Sequence, residues 1–237
     1  MSDLIAYKSN ALIEASYKLT LQEQRLLLVC ISRLKSGENA PHPDKQKTMT
    51  ITALEFYEAF PDMGRQHAEE KLKEAIDRIW DRSIIIKDDD RREEFRWVQN
   101  RVQYLKGEGK VQITFSDSVM PYLTQLKGQF TRVIVKNVSS LSSSYSIRIY
   151  ELLQQFRNTG DRTIFLNDFR TMLAVDNKYH QFKDLNKMII KPAIAELNEK
   201  SDLAVSFETI KEGRTVVALR FKFKEDKQIR IKNKPIR

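Results

Sequence analysis

The chain has 237 residues, and 41 Lys and Arg against 32 Asp and Glu give it a formal charge of +9. With 41% hydrophobic and 31% charged residues it has the composition of a globular chain, and its length suits one large domain or two small ones. No run approaches the roughly 18 apolar residues of a membrane span, and the few scattered Gly, His and Cys match neither a phosphate-cradling loop nor a zinc site, so no cofactor or metal is expected.

Residues 1–10 lack the basic start and apolar block of a signal peptide, and Cys30 is the sole cysteine, so a reducing cytoplasm is the expected compartment. In chain order, the first predicted helix covers residues 19–35, where Leu27, Cys30, Ile31 and Leu34 recur at helical spacing and Gly37 supplies a stop. The alternating segment from Met49 ends in Thr52, a cap for a short helix carrying Leu54, Phe56 and Phe60. A third helix places Leu72, Ala75, Ile76 and Ile79 on one face. Residues 95–105 and 110–115 then read as strands around the turn KGEGK. Beyond them, SDSVMPYLTQL reads as a bridging helix and FTRVIV as a strand or extended linker.

The same order then returns. Over residues 141–157, Ile149, Leu152, Leu153 and Phe156 stand 122 positions after their counterparts, with Gly160 as the stop. The segment from Ile164 ends in Asn167, a cap for a helix with Phe169, Met172 and Leu173. The third helix spans residues 182–199, and its Ile190, Ala193, Ile194 and Leu197 repeat the first copy at an offset of 118. Strands over 203–210 and 215–224 flank the turn KEGR. Helix, strand, helix, helix, hairpin is the order of a winged helix, whose third helix can enter the major groove while the wing touches the backbone or minor groove. The predicted fold is α+β: two tandem winged-helix domains related by an internal pseudo-repeat, over residues 1–125 and 126–237.

Divided there, the first domain holds 19 basic and 20 acidic residues, net −1, and the second 22 and 12, net +10. Such an asymmetry predicts a polyanion partner for the second half. Residues 222–237, seven basic and two acidic, read as a strand end leading into a basic tail.

The stretch SSYSIRIYELLQQFRNTG, then IFLNDFRTML, then YHQFKDLNKMIIKPAIAELNEKSDLAVSFETIKEGRTVVALRFKF, together with NALIEASYKLTLQEQRLLL, resembles the plasmid replication initiators that carry two winged helices and bind repeated origin sites called iterons. The resemblance runs over nearly the whole chain. It implies a sequence-specific binder of double-stranded DNA that helps open an adjacent A·T-rich segment and recruits the host initiator and replicative helicase. It further implies a monomer–dimer equilibrium in which dimers bind an operator inverted repeat, repress the initiator's own promoter or couple origins. The family carries a proline at the place of Pro192, which implies a kinked third helix rather than a broken one.

In the second copy Lys183, Lys187 and Lys191 form an i, i+4, i+8 row beside the packed face, suited to phosphates or guanine edges, while Tyr179, His180 and Gln181 either read bases or order a loop. Lys211 and Arg214 at the wing tip are candidate phosphate or minor-groove contacts. Ser143, Ser144 and Tyr145 begin a helix and either hold a backbone phosphate or serve as a plain cap. Arg148 either reaches a phosphate or pairs with a carboxylate inside the domain. In the first copy the third helix turns Glu70, Glu74 and Asp77 outward, leaving Arg65, Gln66 and His67 at its start, with Lys71 and Lys73 beside the acids, as the groove candidates. By resemblance, this half binds one end of the iteron and carries the dimer contact.

Other signals point to no enzyme. Asp88, Asp89 and Asp90, with Glu93 and Glu94 nearby, are interleaved with Lys87, Arg91 and Arg92 between strand-like runs and read as a solvated hairpin loop, not a two-metal site. Phe221 and Phe223 read as one buried strand face, although a base-stacking platform has the same spacing. Nicking through Tyr145 or Tyr150 requires paired metal-holding histidines, and the sequence has no His-x-His. A dimeric repressor with the same fold and no replication role is the alternative function.

Overall fold

The computed structural model describes residues 3–36, 40–87, 90–104, 109–126 and 128–226. They fall into two compact units, residues 1–139 and 140–237.

The first unit opens with strand β1 (Ile5–Ser9), helix α1 (Asn10–Glu14) and the central helix α2 (Leu21–Ile31). Thr20 and Glu23 cap α2 reciprocally, each side chain taking the other's backbone N–H. From Glu23 to Ile31 every residue is buried, so α2 is enclosed on all sides. Its interior charges are partnered: Arg82 donates to Glu23 at 2.7 Å. Arg25 pairs with Asp62 at 2.7 Å, lies over the Phe60 ring and donates to the Ser139 carbonyl.

Helix α3 (Pro43–Gln46), strand β2 (Thr48–Thr52) and helix α4 (Ala53–Ala59) follow, the last capped by Thr52 and Glu55 in the same reciprocal way. Two 3₁₀ turns, Pro61–Met63 and Arg65–His67, lead into α5 (Ala68–Ile79), which buries Leu72, Ala75, Ile76 and Ile79 as predicted. Strands β3 (Ser83–Lys87) and β4 (Arg92–Arg96) form a hairpin, and β5 (Val98–Gln103) and β6 (Lys110–Phe115) form the wing in a sheet ordered β2-β6-β5. The strand predicted over residues 95–105 is thus two strands. Trp97, fully buried with its ring edge-on to Tyr17, stands where the chain leaves one hairpin for the other. Of the three aspartates, Asp90 is exposed in the β3–β4 connection; Asp88 and Asp89 lie outside the described residues, as do Gly37 and most of the KGEGK turn.

The unit closes with α6 (Met120–Thr124), strand β7 (Phe130–Ile134) and α7 (Val135–Val138). Because β7 pairs antiparallel with β1, Ile5 opposite Ile134, the expected linker is part of the first unit. The boundary therefore falls after Ser139 and not after Gln125. This changes the charge comparison: residues up to 139 hold 22 basic and 20 acidic residues, net +2, and the rest 19 and 12, net +7. Five of those 19, with no acid among them, lie in residues 227–237, outside the described residues.

The second unit consists of α8 (Ser144–Gln154), β8 (Asp161–Phe165), α9 (Leu166–Met172), α10 (Phe182–Leu185), a π turn (Asn186–Ile190), α11 (Lys191–Lys200) and the long wing strands β9 (Leu203–Glu212) and β10 (Thr215–Glu225). Its sheet order, β8-β10-β9, repeats β2-β6-β5. The N-caps Thr20 and Ser143 put the central helices 123 positions apart, one more than the apolar spacing suggests, which sets Arg148 at the place of Arg25. A helix buried all round gives no single face from which to read register. Asn167 is not a cap: α9 starts at Leu166, preceded by an extended Phe165 that pairs with Ala218 and is 66% exposed. Nor does Gly160 end α8, which stops at Gln154. Gly160, at φ +66, instead docks on β10: its carbonyl accepts from the Phe223 N–H at 2.8 Å, and a Cβ there would stand 2.6 Å from the Phe223 oxygen. Phe221 packs between Phe169 and Phe207, and Phe223 is buried as well while Lys222 and Lys224 are exposed; this is the buried strand face and not a stacking platform.

Candidate nucleic-acid interface

Helix α10, the π turn and α11 form one helical run over residues 182–200, the counterpart of α5. Proline lacks an N–H and its ring collides with the carbonyl four residues back. The chain accommodates Pro192 by widening the preceding turn: the Lys191 N–H donates to the Asn186 carbonyl, five residues back. The run continues through Pro192 instead of breaking. The extra residue in that turn lets Ile189 and Ile190 both face inward, with Leu185, Ala193, Ile194 and Leu197. Asn186 is half-buried, and Lys183, Asp184, Lys187, Met188, Lys191 and Ala195 are exposed.

The ends of this helix are held from elsewhere in the unit. The Ser142 N–H and hydroxyl both donate to Glu196, at 2.7 and 2.5 Å, tying α11 to the start of α8. Burial alone would raise the Glu196 pKa, but these hydrogen bonds and nearby Lys200 hold the carboxyl below its ordinary value. At the other end, Arg170, buried in α9, donates to the carbonyls of Lys178 and His180 at 3.0 and 3.1 Å. Those bonds pin the loop before α10, where Ala174 and Tyr179 adopt φ +53, a left-handed conformation uncommon for either residue. Arg170 escapes sequence reasoning, since a basic residue beside Phe169 looks like any surface charge until its carbonyl partners are in place.

Across from the helix start, β9 and β10 join through a two-residue turn, Gly213 and Arg214, with Gly213 at φ +59. Between wing, helix start and α9 lies a cleft of about 650 Å³ lined by Asn167, Arg170, His180, Asn186, Lys211 and Arg214, with Leu166, Phe182, Thr209, Thr215 and Val216 completing it. Among the described residues no carboxylate lines it. Three of the predicted contacts, His180, Lys211 and Arg214, meet there. Gln181, Lys183, Lys187 and Lys191 are exposed along the helical run, and none of these three lysines has an ion pair among the described residues.

The cluster at the start of α8 divides. Ser143 is the helix cap, its hydroxyl accepting from the Tyr145 and Ser146 N–H groups at 3.2 and 3.4 Å. Ser144 is half-buried beside it. Tyr145 is half-buried too, and burial raises its phenol pKa. Arg148 is 2% exposed, pairs with the buried Glu151 at 2.8 Å and donates to the Met172 carbonyl at 3.1 Å. Of its two readings, internal pairing is the one observed, and Arg148 is corrected from a DNA contact to a core residue.

The first unit presents the same elements with other chemistry. Arg65, Gln66 and His67 are exposed in the 3₁₀ turn before α5, and Lys71 is half-buried. Along α5, however, two of the three cations are paired, Lys73 with Glu69 and Arg78 with Glu74, each at 2.6 Å, and Arg101 from β5 pairs with Asp77 at 3.0 Å. A carboxylate also sits between helix and wing, since a Cβ on Gly109 would meet the Glu69 Oε2 at 3.4 Å.

Two family models match the chain. Residues 5–154 match one described as "Initiator Replication protein, WH1", and residues 166–223 one described as "Initiator Rep protein, WH2". The chain belongs to the family of replication initiator proteins. A "Replication initiation protein" of Escherichia coli is 31% identical to it over 237 residues, covering 97% of this chain and 72% of the relative. A second E. coli relative, "PI protein", is 26% identical over 143 residues, 53% of this chain and 47% of its own. Among solved structures, "Crystal structure of Pi initiator protein in complex with iteron DNA" matches with a TM-score of 0.79 over 96% of this chain and 99% of that one, at 20% identity, which establishes the tandem winged-helix fold of this initiator. Among its described residues no helix is long and apolar enough to cross a membrane, and no group of His, Cys, Asp and Glu is placed to hold a metal ion.

Proposed function

We propose that this initiator is a non-enzymatic, sequence-specific binder of direct repeats in a plasmid origin, and that its second winged helix supplies the main grip. The observation that carries the reading is the acid-free cleft between wing and helix start, flanked by three lysines without ion pairs. A phosphodiester strand in the cleft would meet His180, Lys211 and Arg214, and the helical run would then lie along the major groove. The repeated sites crystallised with the Pi protein, the iterons, are the natural target class. The first unit would bind the other part of each repeat with less electrostatic affinity and carry the dimer contact. We extend the same proposal to opening of adjacent A·T-rich DNA, recruitment of the host initiator and helicase, autorepression by dimers and a cytoplasmic setting, each supported by the family resemblance.

A gel-shift comparison tests this. Duplexes carrying direct repeats of about two helical turns, taken from the DNA flanking the gene, are set against inverted-repeat duplexes. Binding to the direct repeats, together with replication of a plasmid carrying them only when the chain is supplied in trans, is expected. Binding to an inverted repeat alone, without plasmid maintenance, would make the protein a repressor.

A further inference from the structure

The outward face of the helical run carries more than charge. Met188 is 56% exposed, and Pro192 and Ala195 are exposed four and seven positions further on. That spacing aligns the three in one stripe along the helix. Lys187 and Lys191 run beside it, and from Lys187 to Ala195 the sequence KMIIKPAIA contains no acid. The π turn contributes to this arrangement, because it takes both Ile189 and Ile190 into the core and leaves Met188 outside. At the corresponding surface of α5 the exposed residues include Glu70, Glu74, Asp77 and Arg78, with no apolar stripe.

Single exposed apolar residues need no explanation. A three-residue apolar stripe flanked by cations, on the helix of a winged-helix fold that faces a groove, is a surface of particular chemistry. In the major groove the one apolar group on the base edges is the thymine C5-methyl, and apolar side chains read it by contact. Methionine, flexible and polarizable, suits such a contact. We propose that the Met188, Pro192 and Ala195 stripe is a specificity determinant that reads thymine methyl groups while the adjacent lysines hold the backbone. The inference rests on the DNA-binding reading above and assigns the base class recognised by that helix.

The test uses the full-length protein and a duplex recovered by its own selection from a random library, with each thymine replaced in turn by deoxyuridine, which removes only the methyl. For the unmodified protein, deoxyuridine at one to three positions should weaken binding about three- to fourfold each, the effect of burying one methyl group. Met188→Ala should bind the thymine duplex more weakly and show no preference for thymine over deoxyuridine at one of those positions, and Met188→Gln should behave likewise. Equal binding of thymine and deoxyuridine duplexes by the unmodified protein, or an unchanged preference in Met188→Ala, overturns the proposal. Lys187→Glu with Lys191→Glu separates the two levels of the argument. If that double variant loses binding while no methyl effect exists, only the methyl readout fails; if it binds as before, the helix is not at the DNA and the parent reading fails too.

Discussion

The third helices of the two units, α5 and the run over residues 182–200, share a buried face and differ on the face turned to solvent. In α5 Lys73 and Arg78 answer Glu69 and Glu74 within the helix, and Glu69 reaches the wing. In the second unit Lys183, Lys187 and Lys191 have no such partners among the described residues, and the cleft beside them holds no acid. Net charge does not report this difference. Over the described residues the first unit holds 20 basic and 16 acidic residues, net +4, and the second 14 and 12, net +2. What distinguishes the two folds is whether cations are paired at the surface or left for a polyanion, because a neutralised ammonium releases few counterions on binding.

Five measurements would break or sharpen this comparison. The largest effect is expected in the cores. Arg148→Ala leaves Glu151 buried without its cation and should destabilise the second unit by about 3 to 5 kcal/mol in urea titrations, with the salt dependence of DNA binding by the folded fraction unchanged. Arg25→Ala, whose carboxylate partner is partly exposed, should cost the first unit only about 1 to 3 kcal/mol. Next, Lys187→Glu with Lys191→Glu should weaken binding of a direct-repeat duplex on the order of 100-fold in a gel shift, against about 10-fold for Arg65→Glu with Lys71→Glu; the reverse ranking would overturn the unequal roles of the two units. Gly160→Ala should lower stability by about 2 kcal/mol, since an L side chain strains at positive φ and meets the Phe223 oxygen. Glu69→Gln, which removes the carboxylate beside the first wing, should raise affinity a few-fold at low salt and not at high salt. The smallest effect concerns acid. Because the folded Glu196 pKa lies below the ordinary 4.5, its contribution is present above that value and is lost as pH falls through the folded pKa. Glu196→Gln should therefore flatten the acid limb of a stability-against-pH curve below pH 4.5 and leave tertiary structure intact at neutral pH.

Much of the fold was legible because the third helices are one-sided. Leu72, Ala75, Ile76 and Ile79, and their counterparts at an offset of 118, lie inside as predicted, and the KEGR turn closes the second wing. The central helices were legible only as helices. With every residue from Glu23 to Ile31 and from Ser146 to Gln154 buried, apolar spacing fits neighbouring registers equally well, and the caps at Thr20 and Ser143 decide between them. That shift of one position is also why Arg148 read as a possible phosphate contact. Placed opposite Arg25, it belongs to a pair of core arginines that each hold a later backbone segment, at Ser139 and at Met172. The domain boundary was misplaced for a related reason: FTRVIV has strand character, but its partner strand lies over a hundred residues earlier in the chain.

From sequence alone came the order of elements, the repeat, the identity of the third helix and the lysine row, carried by local spacing and composition, and beside them the family resemblance, carried by the matching stretches themselves. The tertiary structure decided which charges are available. Whether an arginine faces solvent or a buried glutamate, whether a lysine is paired, and whether a carboxylate sits between helix and wing all depend on groups distant in the chain. Local periodicity places a side chain on a face of its helix. Only packing determines what stands opposite that face, and at these distances the opposing group sets the electrostatics.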